Sequence, residues 1–219
     1  TPLFFDKKQP RVQFVSPGAG VVSEIVYGAK RVIEKVIIKL DQNEEAEKYD
    51  KVSKDNLAKL SREDMIERML KGGVWSYLRA FPLNKIANPD VKPASIYVTI
   101  DNDEPFLPQS DVYLKTKESL EDLKYGIQLL KKLTDGQVNI GISAKNHALK
   151  SLLEDVITHQ LFGDYPANNP SVFMYHNKTS AAENRSWHIH TQDLLLLTAF
   201  FKNGQYPTDR VITLAGSKI

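Results

Sequence analysis

The chain has 219 residues with Lys+Arg 29 against Asp+Glu 27, a formal charge of +2 at pH 7, and no cysteine. A hydrophobic content of 42% with 26% charged residues is that of a folded globular protein, and at about 150 residues per domain the length allows one or two domains. Without cysteine there is no disulfide, thiolate metal site, cysteine nucleophile or cysteine-held iron–sulfur cluster. The near-balanced charge gives no argument for a nucleic-acid partner. The longest apolar run, 194–197, falls far short of the roughly 18 residues of a membrane span.

No signal peptide is read at the start. The chain opens on Thr1 inside a strand-like run and stops shortly after Gly216, which reads as a piece of something longer. Residues 1–40 are β in character: Val12, Phe14, Val21, Val22, Ile25, Val26, Val32 and 36–38 form short runs separated by Pro17-Gly18, Gly20 and Gly28. A charge-dense stretch from Asp41 to Lys59 reads as a solvated linker. A helix is predicted from Ser61, with Ser61 and Asp64 spaced as a capping box, Met65, Ile66, Met69 and Leu70 as its stripe, and Gly72-Gly73 as its stop. An aromatic and proline-rich loop runs on to Pro93.

From Ile96 the pattern becomes alternating strands and helices. The predicted elements are a strand at 96–100, a helix at 116–134 ended by Asp135-Gly136, and a strand at 138–142. A helix capped by Ser143 follows, with Leu149, Leu152, Leu153, Val156 and Ile157 on one face. Then come a strand at 172–175, an irregular loop, a helix at 191–203 closed by Gly204, and a strand at 211–214. Such alternation argues for an α/β fold with a Rossmann-like, mostly parallel sheet and helices on both faces.

His188-Ile189-His190 places two rings on one face of an extended segment but lacks a third ligand at any metal-site spacing, so no metal is expected. His147, His159 and His176 read as surface or capping histidines. There is no G-x-G-x-x-G, Walker or G-x-S-x-G sequence, and the turns leaving the strands carry Asp101-Asn102-Asp103 and Ser143-Ala144-Lys145 in place of glycines. No catalytic residue is therefore assigned.

The densest chemical feature runs from Gly72 to Lys85. Trp75, Tyr77 and Phe81 supply flat walls, Arg79 and Lys85 supply donors, and Leu78 and Leu83 supply apolar lining, the set that a planar, carbonyl-bearing ligand needs. The competing reading packs Trp75 and Phe81 against the sheet and lays Arg79 along the surface. Asp209 and Arg210 form a second, weaker candidate, better read as an internal ion pair.

The stretch from Ser16-Pro17-Gly18 through Val21, Ile25 and Gly28 resembles the second half of a biotinyl/lipoyl-type barrel-sandwich hybrid, so that part of an all-β barrel-sandwich precedes the α/β region. Asp6-Lys7 falls near the place of the lipoate-bearing lysine. Four further runs carry a wider resemblance: Phe5-Asp6-Lys7-Lys8; Gly28-Ala29-Lys30-Arg31-Val32; Trp75 through Arg79 with Phe81, Pro82 and Lys85; and Thr208-Asp209-Arg210-Val211 leading to Leu214-Ala215-Gly216. In their order and spacing the chain is similar to the NqrA family, which belongs to the Na+-translocating NADH:quinone oxidoreductases.

That resemblance implies a longer protein, with more barrel upstream and a ubiquitin-like module and helical end downstream. It divides this chain into a partial barrel-sandwich at 1–40, a linker, helix and aromatic loop at 41–90, and a Rossmann-like domain at 91–219. It also implies a peripheral position on the cytoplasmic face of the bacterial inner membrane, in contact with ubiquinone. The membrane subunits B, D and E and the flavin-carrying C and F would be its partners, and the fragment alone would have no activity. The C subunit of the Rnf complex and the flavin subunit of complex I share the core and hold FMN on a G-R-G-G-A-G-F-P loop. The corresponding stretch, Gly72 to Pro82, is filled by Val74, Trp75, Ser76 and Tyr77, so no tightly bound FMN or NAD is expected. An FMN-binding electron-transfer module and a lipoyl-type carrier are the alternatives.

Overall fold

The computed structural model describes all residues except 44, 103 and 217–219. Asp103, within one of the turns named above, lies outside the described residues. The first 40 residues form two antiparallel hairpins, β1 (Pro2–Asp6) with β2 (Gln9–Val15), and β3 (Gly20–Tyr27) with β4 (Ile33–Leu40). The two ribbons remain separate sheets. Two strands offer no second layer, so Val21, Val22, Ile25, Ile33 and Ile37 on the second ribbon stay exposed.

After a short α1 (Lys54–Leu57), α2 spans Arg62–Lys71. Ser61 caps it by accepting from the Asp64 backbone N–H at 3.0 Å. Its apolar stripe, Met65, Ile66, Met69 and Leu70, is buried as the periodicity predicts. A 3-10 turn (Trp75–Tyr77) leads into β5 (Arg79–Ala80) and β6 (Lys85–Ile86). Then follow β7 (Ile96–Thr99), α3 (Ser110–Tyr113), α4 (Lys117–Lys131), β8 (Val138–Ser143), α5 (His147–Leu152), β9 (His159–Leu161), α6 (Pro170–Asn177), a 3-10 turn (Ala181–Arg185), β10 (Trp187–His190) and α7 (Thr191–Asn203).

One six-stranded sheet has the order β6-β5-β10-β7-β8-β9. Strands β10, β7, β8 and β9 are parallel, with Ile96 opposite Val138 and Trp187 opposite Ile96, while β5 and β6 are antiparallel at the edge. Alternation along the strands sorts the two faces. Ile96, Val98, Trp187 and Ile189 enter the main core with residues of α2, α4 and α7. Tyr97 points to the opposite face and packs with Phe81, Leu161, and Phe173 and Met174 of α6. Helices thus cover both faces, as expected for the α/β class. Helices α4 and α7 approach closely at Gly126, where an added Cβ would stand 2.6 Å from Thr198 Oγ1 and 2.8 Å from Leu194.

The structure corrects four local expectations. Ser143 ends β8; the cap of α5 is Asn146, and the helix stops at Leu152, which leaves that side chain exposed. Residues 172–175 are helical, because Asn169 caps and Pro170 opens α6 with its preset φ. Four strands, β5, β6, β9 and β10, have no counterpart in the sequence pattern; all are short, and β10 gets its order from pairing with β5 and β7. Residues 211–214 form no strand and are exposed, tied down where Gln192 Nε2 donates to the Val211 carbonyl at 2.9 Å.

Candidate functional site

The loop that leaves α2 owes its glycines to packing. A Cβ on Gly72 would meet the Phe200 ring at 2.3 Å, and Gly73, at φ +72°, lies where a Cβ would meet Val15 at 2.7 Å. The backbone N–H groups of Gly72, Gly73 and Val74 donate to the carbonyls of Arg68, Leu70 and Met69, closing the helix end. Those donors are already committed, which is the opposite of a phosphate cradle.

Beyond the glycines the predicted ligand residues diverge. Trp75 is fully buried, its Nε1–H donating to the Ala87 carbonyl at 2.7 Å and its ring set edge-on to Trp187 at 5.6 Å. Leu78 joins it in the main core, whereas Leu83 and Lys85 are exposed. Tyr77 packs against the same core; burial, then neighbouring Tyr206 and Asp193, push its hydroxyl above the ordinary tyrosine range. Arg79 and Phe81 lie with the second face. Arg79 Nη2 donates to the Asn84 carbonyl at 2.6 Å and its Nε to Asn84 Oδ1 at 3.3 Å. Phe81 stacks on His188 with centroids 4.8 Å apart.

Asp209 is exposed and does not pair with Arg210; the ion pair is Arg210 with Asp193, at 2.7 Å, in the first turn of α7. Residues 205–211 therefore cross the start of α7. This corrects the internal pair expected between Asp209 and Arg210.

Sequence reasoning misses how His188 is used. The two rings of the H-x-H pair do share a face, 5.9 Å apart, and no group of three or more His, Asp or Glu side chains among the described residues is placed to hold a metal ion. His188 is buried instead against Phe81 and Asn84. Burial, then His190 and Arg79, hold its basicity down, to about 3. Burial likewise lowers His190, with Asp193 and Glu104 opposing.

Nearby, the Glu183 carboxylate is buried but accepts from Tyr97 Oη at 2.7 Å and from Thr179 N and Oγ1 at 2.8 and 2.9 Å. Burial works against its charge, yet those donors outweigh it and its carboxyl sits below the usual range. No pattern in the sequence announces Glu183 or Asn84, since each gains its role from residues far along the chain.

Strand order reverses direction between β7 and β10, the place where open α/β sheets form their crevice. There Asn102, Glu104, Tyr165, Asn169, Pro170 and His190 line a cleft of 10 Å³, enough for about one water. A broader groove of 1070 Å³ separates the 16–20 turn from residues 45–49 and 205–208.

Two-stranded β ribbons ahead of a mostly parallel six-stranded sheet with helices on both faces define a protein of the α/β class. The profile of the NqrA second alpha/beta domain matches residues 60–206, and that of the NqrA N-terminal barrel-sandwich hybrid domain matches residues 1–41. The chain belongs to the NqrA family. Relatives named as the A subunit of Na(+)-translocating NADH-quinone reductase include one from Neisseria meningitidis serogroup C, 31% identical over 217 residues, covering 99% of this chain and 48% of the relative. One from Pseudomonas aeruginosa PAO1 is 35% identical over 219 residues, covering 98% and 47%. One from Histophilus somni is 30% identical over 217 residues, covering 99% and 48%. The chain spans about half the length of the curated relatives it matches. No helix among the described residues is long and apolar enough to cross a membrane.

Proposed function

We propose that this chain is the barrel and Rossmann-like portion of the peripheral NqrA component of a Na+-pumping NADH:quinone oxidoreductase. In this reading it contacts ubiquinone and carries no redox cofactor of its own. The observation that carries the reading is the match, across nearly the whole chain, to relatives named as that component. Its partners are the membrane subunits B, D and E and the flavin-carrying subunits C and F, at the cytoplasmic face of the inner membrane. The fragment by itself turns over no substrate. The three-part organisation at 1–40, 41–90 and 91–219 belongs to the same reading, with β5 and β6 lending edge strands to the sheet.

Quinone contact is assigned to the 75–85 loop. On the second face Arg79 donates to a ring carbonyl and Phe81 supplies the flat wall, with buried Trp75 stiffening the loop from behind and Tyr77 and Lys85 the candidates on the loop's other side. Arg210, held on Asp193, stands beside Tyr77 as a secondary contact, with Asp209 next to it. The commitment of the 72–74 N–H groups to the end of α2 supports the absence of a flavin phosphate site.

The test is a titration of a short-chain ubiquinone analogue against the purified chain and its Arg79→Ala variant. Loss of one charge-assisted hydrogen bond should weaken binding by about 1–3 kcal/mol, with little change in melting temperature. Equal affinity in both proteins overturns the site, and visible flavin absorbance in the purified chain overturns the cofactor reading.

A further inference from the structure

The run Gly28-Ala29-Lys30-Arg31-Val32, which neither the core nor the quinone reading uses, forms the turn between β3 and β4. Hydrogen bonds close it: the Gly28 N–H donates to the Val32 carbonyl at 2.8 Å, and the Arg31 N–H to the Gly28 carbonyl at 3.2 Å. Lys30 and Arg31 stand at φ 55° and 57°, the left-handed region that glycine and asparagine fill most easily. The glycine of the run is not spent there, since Gly28 has φ −89°. Two long cationic side chains thus occupy the two strained positions, and strain held at an exposed tip points to a function for it.

Both cations are exposed. The Arg31 guanidinium lies 5.9 Å from the centre of the Tyr27 ring, a cation–π contact that holds it at the tip. Elsewhere cations meet carboxylates: Arg11 with Glu67 and Asp90, Lys54 with Glu121, Lys202 with Asp122, Arg210 with Asp193. Among the described residues no carboxylate pairs with Lys30 or Arg31. The acids of the ribbon stand aside: Glu24 is in mid-strand opposite Ile37, and the Glu34 carboxylate lies over Gly28, where an added Cβ would collide with it. Apolar surface flanks the cations, with Tyr27, Val32 and Ile33 51%, 62% and 48% exposed.

The geometry points to the β3–β4 tip as an anchor on an anionic lipid surface. Lys30 and Arg31 meet the headgroup phosphates, and Tyr27, Val32 and Ile33 enter the headgroup boundary. This goes beyond the reading above and does not depend on its quinone site. Cations beside an aromatic ring and branched aliphatic residues are the composition of a membrane interface. A short turn without a groove offers an acidic peptide no side-chain pockets, whereas a sheet of phosphates needs only projecting charge. The ribbon can present its tip because β3 and β4 pair only with each other. The other hairpin also carries a dibasic turn, Lys7-Lys8, but there Asp6 adjoins the pair, accepting from the Lys8 N–H at 2.8 Å, and neither lysine has a positive φ.

The test is flotation of the chain with phosphatidylcholine vesicles, with and without phosphatidylglycerol. The wild type should bind the anionic vesicles at least about tenfold better than the neutral ones, and added salt should weaken that binding. The decisive variant is the double substitution Lys30→Asn with Arg31→Gly, which puts residues suited to a left-handed backbone at both positions. It should unfold at the same or a higher urea concentration than wild type and lose at least about tenfold in anionic-vesicle binding. Lys7→Ala with Lys8→Ala removes the same charge from the other hairpin and should stay within about twofold of wild type. A Tyr27→Trp variant reports position: its added emission should shift to the blue on anionic vesicles, against a background from Trp75 and Trp187, which are already buried. Absence of binding to anionic vesicles overturns the inference, as does equal binding by wild type and the Lys30/Arg31 variant. Equal losses from the two dibasic pairs also overturn it, in favour of general charge attraction. Retention on a polyglutamate matrix that depends on Lys30 and Arg31, without vesicle binding, overturns it in favour of an acidic protein partner.

Discussion

A proton on His188 has to enter a desolvated site beside Arg79 and His190, and this gives the chain an acid-sensitive component. The native state holds fewer protons on this ring than the unfolded chain between the ordinary value of 6.5 and about 3. Its contribution is therefore complete above the unfolded value and is lost as pH falls below it. In that window stability should fall by up to about 1.4 kcal/mol per pH unit, read from urea midpoints. His188→Phe should flatten the slope without abolishing it, because His190 is lowered too. A slope that survives unchanged would mean the ring protonates without cost. Glu183 acts in the same direction at lower pH: its carboxyl is depressed below the ordinary 4.5, so its stabilisation is present above that value and is lost on further acidification. Replacing Glu183 by Ala leaves Tyr97 and Thr179 without their acceptor and should cost about 1–3 kcal/mol at neutral pH.

At the scale of elements, the helices legible in advance are those whose signals are local. Ser61, Thr116 and Gly204 each stop or start a helix through hydrogen bonds within four residues, and α7 runs over the residues predicted for it. Short strands escape such a reading because two to four residues carry little periodicity, and their order comes from neighbours. The α4–α7 contact is the firmest in the main core, with Thr198 Oγ1 donating to the Asp122 carbonyl at 3.1 Å and Lys202 bonded to Asp122 at 2.6 Å. Gly126→Ala should separate the two helices and destabilise the fold by about 1–3 kcal/mol, measured by urea unfolding. A neutral substitution there would show that the helices are not in intimate contact.

Across the whole molecule, packing is uneven. The six-stranded sheet has helices on both faces, while the β3–β4 ribbon has exposed apolar residues on strands that face no second layer. Amide hydrogen exchange should accordingly be fast throughout β3 and β4 and slow in β7, β8 and β10, since protection follows buried contact density. Equal protection in the two regions would contradict that division.

From residue order alone the α/β class, the change of rhythm near Ile96, the caps of the long helices and the family can be read. All of these rest on hydrogen bonds, periodicities and motifs that are contiguous or nearly so. The aromatic loop is equally visible, but not the directions in which its side chains point. Tertiary structure alone decided that Trp75 belongs to the core, that Arg210 pairs with Asp193, and that Arg79 reaches His188 through Asn84. Asn84 and His188 meet across 104 residues, and β10 takes its place only between β5 and β7. The protonation state of a buried ring depends on such distant neighbours, because burial and donor geometry exist only once the chain has closed around it.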